Sequence, residues 1–251
     1  MNSLKYIVAC FYLLCVPVFI SCATEAQTTV TFLAKDGLAV VGDWYPAAKS
    51  DAPIILLCHQ ARFSRGEYSE IAPRLNKYGF SCLAIDQRCG DRVNRIENET
   101  AKLAKEKGLN TEYKDAELDI VAAVKYLKEK YKKRIIIFGS AYSASLALMV
   151  AKENDEVAAV IVFSPAEYFD DKTFVAAHCE GLDKPLFAIS SKDHADELTD
   201  LIKDVVSRLK VQYIPKEEGE SGAKMLWSDK PDNQEYWIAL MSFLTKVKDV
   251  H

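Results

Sequence analysis

The residues best suited to chemistry lie between Arg134 and Met149. Residues 135–137 are three isoleucines, bounded by charge on one side and leading to Gly139 on the other, which is the pattern of a short buried strand. Residues 146–151 read as a buried helix. Between them, Gly139-Ser-Ala-Tyr-Ser-Ala144 is almost entirely small. A strand that turns at once into a helix crowds its own backbone, so the positions two before and two after the bend must be small. The residue at the bend is thrust outward, and a Ser, Cys or Asp there can attack a carbonyl. The spacing places Ala141 at the bend, with Gly139 two before, Ser143 two after and Ala144 three after. Alanine has no nucleophile. Moving the frame by two residues puts Ser143 at the bend, between Ala141 and Ser145. That frame sets Leu146 where a third small residue belongs and carries the strand past Gly139. Ser140, Ser143 and Ser145 also suit a plainer role, in which small hydroxyls satisfy backbone groups of a tight turn.

Such a nucleophile needs a base, and the base needs an orienting carboxylate. The chain has four histidines. His59 follows the apolar run Ile54–Cys58, His178 lies in a segment with little period, His194 closes Ser191-Lys-Asp-His194, and His251 is the last residue.

The elements that must position these groups follow from periodicity. Thr28–Leu33 and residues 38–45 alternate about Asp36-Gly37, a β-hairpin signal. Further strands are expected at Ile54–Cys58, 80–85, 135–137, Val157–Phe163, 185–190 and 211–214. Helices are expected at 67–78, 111–131, 146–151, 195–209 and 233–247, the second with Leu118, Val121, Val124 and Leu127 on its buried face. Residues 86–110, 164–183 and 216–231 read as connections. After the hairpin, strands and helices alternate to the end, which predicts an α/β fold with a mostly parallel sheet and helices on both faces. No linker, repeat or low-complexity stretch divides residues 23–251, so they are expected to form one domain.

Composition narrows the function classes. The chain has 251 residues, 49% hydrophobic and 27% charged, with a net charge of −4. That is enough for one sizeable core and provides no basic surface for nucleic acid. Residues 6–20 follow Lys5 and carry no charge, but the run is shorter than the ~20 apolar residues of a spanning helix. With Ser21, Cys22 and Ala23 behind it, it reads as a secretory leader over residues 1–22. Phe19-Ile-Ser-Cys22 resembles a bacterial lipobox, which implies cleavage before Cys22, lipid on its sulfur, and a membrane-anchored protein of the cell envelope. Cleavage after Ala23 or Ala26 would instead give a soluble periplasmic or secreted protein. Cys10, Cys15 and Cys22 fall in the leader; Cys58, Cys82, Cys89 and Cys179 show no metal-ligand spacing, and Cys58 and Cys82 read as buried small apolar residues. No phosphate loop, dinucleotide fingerprint or metal cluster is present, so no cofactor is expected.

The hairpin, the strands ending at His59 and Asp86, the bend at Ala141 and the final strand, loop and helix occur in an order that resembles the α/β-hydrolases. The likeness is to small, lidless esterases of the dienelactone-hydrolase kind, in an exported bacterial form. The resemblance implies a triad and two oxyanion-binding N–H groups, here those of Ala61 and Tyr142. It places the nucleophile at Ala141 and the acid at His194, one residue beyond Asp193. It places the base at Ser221, within Gly219-Glu-Ser-Gly222 where the family has Gly-x-His-Gly. Asp193 also suits the N-cap of the helix at Ala195, and His59 suits a hydrogen-bonded structural role. The implied function is a pseudo-hydrolase that binds a small carbonyl or carboxylate ligand. An active esterase using Ser143, with His194 or His59 as base, and a lipid-anchored interaction module are the alternatives. Arg88, Arg92 and Arg95 suit either an anionic ligand or a solvated charge run. Tyr45, Phe63, Tyr142, Tyr168 and Trp227 suit either a pocket wall or core.

Overall fold

The computed structural model describes residues 26–169 and 171–248. The expected leader with Cys22, and His251, lie outside the described residues. Two strands, β1 (Thr28–Leu33) and β2 (Ala39–Tyr45), form the antiparallel hairpin, in register from Thr28 opposite Trp44 to Leu33 opposite Ala39. β2 then pairs antiparallel with β4 (Ser81–Ile85). From there the sheet is parallel through β3 (Ile54–Cys58), β5 (Ile135–Ser140), β6 (Val157–Phe163), β7 (Leu186–Ile189) and β8 (Lys210–Tyr213). The spatial order is β1-β2-β4-β3-β5-β6-β7-β8.

Continuous apolar strands force this layering, because both faces of each must be covered. In β3 every residue is buried: Ile54, Leu56 and Cys58 join the core on one face, Ile55 and Leu57 the core on the other. The first core is closed by α3 (Glu117–Tyr131), α4 (Tyr142–Glu153) and α6 (Ala195–Leu201), with α5 (Phe174–Cys179) beside α4. The second is closed by α1 (Ile71–Lys77) and α7 (Asn233–Lys248), the latter through Trp237, Leu240, Phe243 and Leu244. α2 (Glu99–Glu106) packs against the outer strand β2.

Several expectations are corrected. The segment 67–78 is split into a 3-10 turn, Arg65–Tyr68, and α1. α3 starts at Glu117, and its buried face carries Ile120, Ala123, Val124 and Leu127, whereas Val121 is exposed. α6 stops at Leu201; Ile202 and Val205 are buried from the turn that follows, so their spacing reports burial and not helix. The connections 86–110 and 164–183 contain α2 and α5.

The carboxyl ends of the parallel strands all meet one edge. β3 leads to His59, β4 to Asp86, β5 to Ala141, β6 to Ser164, β7 to Ser190 and β8 to Ile214. Ala141, His59, Asp86 and the acid turn at Asp193 and His194 all lie at that edge.

Candidate functional site

The bend falls at Ala141, between β5 and α4. Its backbone has φ 53° and ψ −120°, a conformation that costs a non-glycine residue roughly 1–3 kcal/mol. The strain is held from both sides: the Ala141 N–H donates to the Phe163 carbonyl at 2.8 Å, and its own carbonyl accepts from the Ala144 N–H at 2.8 Å. Gly139 explains how strand and helix come so close. A Cβ there would lie 2.4 Å from the Ser143 carbonyl oxygen and 2.6 Å from Ala144 Cα. The methyl of Ala141 thus occupies the place from which a nucleophile would project.

The serines around it are committed to structure. Ser143 is fully buried in the first turn of α4; its hydroxyl donates to the His59 carbonyl (2.5 Å) and accepts from the Gln87 side-chain amide (2.6 Å). Ser140 donates to Glu67 (2.8 Å) and accepts from the Ala223 N–H (2.8 Å). Ser145 bridges the carbonyl and N–H of Ala166. None of the three is met by an imidazole.

His59 explains why. It is fully buried, its Nε2 accepts from the Gln87 N–H at 3.0 Å, and its Nδ1 therefore carries the proton and donates to the Gln60 carbonyl at 2.8 Å. Burial pushes its pKa down to about 4, so the ring is neutral and both nitrogens are occupied. His178 lies on α5, bonded to the Phe174 carbonyl. His194 is exposed at the sheet edge, with Nδ1 3.9 Å from Glu197. Asp193 is exposed beside it and does not cap α6, whose N-terminus has no side-chain cap. A short 3-10 turn, Lys192–His194, carries both outward and sets the register that Asp193 would need for capping out of reach.

The last loop reaches the bend by its backbone. Ser221 is exposed, but the next residue, Gly222 (φ +77°), donates its N–H to Ser164 at 3.0 Å. A Cβ on Gly222 would lie 2.2 Å from Gln60 Oε1 and 2.7 Å from Ser140 Oγ. The loop is folded on itself by Glu220, which pairs with Lys224 at 2.6 Å and Lys230 at 2.9 Å. Lys192 ties it to the acid turn by donating to the Lys216 carbonyl at 2.7 Å. The three positions that the resemblance assigns to a triad thus follow the carboxyl ends of the strands, with a methyl at Ala141, an exposed imidazole at His194 and an exposed Ser221.

Sequence reasoning missed Glu67. Carried by the 3-10 turn after β3, it is fully buried, and its carboxylate accepts from the Gln60 N–H (2.8 Å) and from Ser140 (2.8 Å). Its backbone carbonyl accepts from the Trp227 indole (2.9 Å). Burial raises its pKa to about 7 against these donors. One residue therefore joins the loop of Ala61, the bend and the last loop. A charged residue next to the buried Tyr68 is the signal that could have found it.

The expectation for Arg88 is corrected as well. It belongs neither to a solvated run nor to an open ligand site. It is 2% exposed, bonded to Asp119 (2.8 Å) and Asp36 (2.7 Å), and locks the hairpin turn to α3. Arg65 does the same nearby, reaching Asp43 (3.1 Å), Asp86 (2.5 Å) and Glu99 (2.6 Å). Arg92 is exposed and pairs with Glu97 at 3.3 Å. Arg95 lines a cleft of about 830 Å³ beside α2 together with Asp91, Glu97, Glu99, Lys102 and Lys105, a wall of mixed sign.

The aromatic residues divide by place. Tyr45 lies at the far end of the sheet, in the core under α1. Phe63 and Trp227 stack at 6.0 Å on the site side. Tyr142 is buried against Tyr113, with ring centres 4.6 Å apart, and Tyr168 is partly exposed with its hydroxyl on the Ser164 carbonyl. The four cysteines are buried and free, and among the described residues no group of three or more His, Cys, Asp or Glu side chains is arranged to hold a metal.

Comparison with known proteins fits this geometry. Solved structures of the same fold include an esterase of Pyrococcus furiosus, 20% identical, with a TM-score of 0.64 over 90% of this chain and 93% of that one. A dienelactone hydrolase of Anabaena variabilis is 16% identical, with a TM-score of 0.63 over 88% and 96%. An α/β-hydrolase of Penicillium is 13% identical, with a TM-score of 0.65 over 88% and 99%. A search of curated proteins finds no match. At these identities the neighbours establish the α/β-hydrolase fold. The model of the dienelactone hydrolase family matches residues 43–206, well over half the chain, from β2 past the bend and the acid turn. With the fold, the strained bend and that match in agreement, the chain belongs to the dienelactone hydrolase family.

Proposed function

We propose that this chain is a pseudo-hydrolase, a member of its family that binds a small carbonyl- or carboxylate-bearing ligand at the carboxyl edge of the sheet without cleaving it. The observation that carries this reading is the pairing of a retained, strained bend with a methyl at its apex and no histidine in residues 216–231. Removing a nucleophile or its base from such a site costs orders of magnitude in rate. What is left are backbone N–H groups at Ala61 and Tyr142, which suit a carbonyl or carboxylate oxygen. Export to the cell envelope, with the domain held by lipid on Cys22, completes the reading and rests on Phe19-Ile-Ser-Cys22 alone.

The test is hydrolysis of short acyl p-nitrophenyl esters by the purified protein, with Ser143→Ala alongside. The expected result is no turnover above buffer in either, together with a thermal shift on addition of a small carboxylate. Turnover by the wild type that disappears in Ser143→Ala would overturn the reading.

A further inference from the structure

We infer that the amino-terminal edge of the sheet, opposite the bend, carries a cleft that docks on the phosphate headgroups of an anionic phospholipid bilayer. β1 enters the fold at this edge, where Thr28 is paired with Trp44 and β3 begins close by at Ile54. A cleft of about 440 Å³ opens there, lined by Thr28, Trp44, Lys49, Lys130, Tyr131 and Lys133 among others, and no acidic residue lines it. Its lysines come from two separate segments, the loop between β2 and β3 and the carboxyl end of α3. The cleft is therefore built by tertiary structure.

Its parts are held in place. Lys133 donates to the carbonyls of Ser50 (3.0 Å) and Ala52 (2.8 Å), which fixes the β2–β3 loop against the end of α3. Trp44 and Tyr131 stack with ring centres 4.5 Å apart and give the cleft a rigid aromatic wall. Lys130 lies over the Tyr126 and Tyr131 rings and is exposed, as are Lys49, Lys132 and Arg134. Asp51, on the same loop, acts on Lys133 but does not line the cleft. The carbonyls ending α3 draw cations to this place, and the density of charge exceeds what one helix end calls for.

The tether sets the occupant. Five residues lie between Cys22 and Thr28, a reach of at most ~20 Å over six steps of the chain. A lipid on Cys22 would hold this edge within about two screening lengths of the bilayer surface. A cationic cleft flanked by aromatic rings suits that boundary, where Lys and Arg meet anionic headgroups and Trp and Tyr sit at the interface. The opposite edge, with Ala141 and its N–H donors, then faces away from the bilayer and stays open to ligand.

The experiment separates this contact from lipidation by using the chain from residue 22 onward with Cys22→Ser, which lacks both the apolar leader and the attachment sulfur. Co-sedimentation is measured with phosphatidylglycerol–phosphatidylcholine vesicles and with phosphatidylcholine vesicles alone. Binding to the anionic vesicles only is expected, at roughly fivefold in partitioning per basic residue engaged. Lys49→Gln, Lys130→Gln and Lys132→Gln combined should weaken it about 100-fold, and the three arginine substitutions at the same positions should restore it. Arg95→Gln, Lys102→Gln and Lys105→Gln, the same change in charge at the carboxyl edge, should leave it intact. Equal loss in both sets, or no binding to anionic vesicles by the Cys22→Ser chain, would overturn the proposal. So would release of the protein by millimolar inorganic phosphate at constant ionic strength, which would make the cleft a site for the free anion.

Discussion

Two sets of groups share the carboxyl edge of this sheet and have fared differently. The supporting set is complete: Arg65, Arg88 and Glu67 are buried, and each is bonded to two or more partners across different loops. The reacting set, as the family resemblance assigns it, consists of Ala141, His194 and Ser221, a methyl and two exposed side chains. The difference follows from burial. A buried charge that loses its partner destabilises the whole fold, so it can be altered only at a cost to folding. A group at the apex of a bend or on the outer side of a loop can be exchanged with no such penalty.

The largest effect should come from the supporting set. Arg88→Ala leaves Asp119 buried without its cation and should lower stability by about 3–5 kcal/mol in chemical denaturation. Arg92→Ala, which breaks an exposed pair with Glu97, should change it by less than about 0.5 kcal/mol. Similar losses for the two would erase the contrast.

Next comes a dependence on pH. Glu67 holds its proton to about pH 7 in the folded chain, against an ordinary value of 4.5. The folded state then binds more protons than the unfolded one between those values, so this contribution is full below about pH 4.5 and is lost as pH rises to about 7. The decline should be on the order of 3 kcal/mol, with a smaller one of the same sign from Asp86, whose pKa is raised to about 6. Glu67→Gln should flatten the curve of denaturation midpoint against pH. An unchanged slope in that variant would detach Glu67 from the supporting set.

The reacting set offers the converse test. Ala141→Ser, Ser221→His and His194→Asp combined should raise ester hydrolysis about 100-fold above the wild type, the lower range of what a positioned base supplies. Failure to rise in a folded triple variant would mean that the bend has lost more than its side chains. A small gain in stability is expected at the bend itself. Ala141→Gly should stabilise the protein by about 1 kcal/mol, the strain released less the freedom glycine gains in the unfolded chain.

Much of the framework was legible because parallel strands are written as apolar runs. Ile54–Cys58 and Val157–Phe163 match to the residue, and the position of the bend followed from small residues at fixed offsets. What sequence did not show is which charges go inside. Arg88 looks like part of a charged stretch until Asp119, a lone acid on the apolar side of α3, is seen to face it. α2 was missed because it is short and its buried face is made of the small side chains Thr100, Ala101 and Ala104; its cap is Asn98, which accepts from the Ala101 N–H. Glu67 was missed because its partners, Gln60, Ser140 and Ala223, are distant in sequence or act through their backbone.

The last loop bears a consequence for hydrogen exchange. A surface loop ordinarily gives up its amide protons to solvent at near the unprotected rate. Here the Gly222 and Ala223 amides point inward, to the hydroxyls of Ser164 and Ser140. Their deuterium uptake should follow the slow kinetics of the neighbouring strands β5 and β6, while Ser221, one residue earlier and outside, exchanges freely.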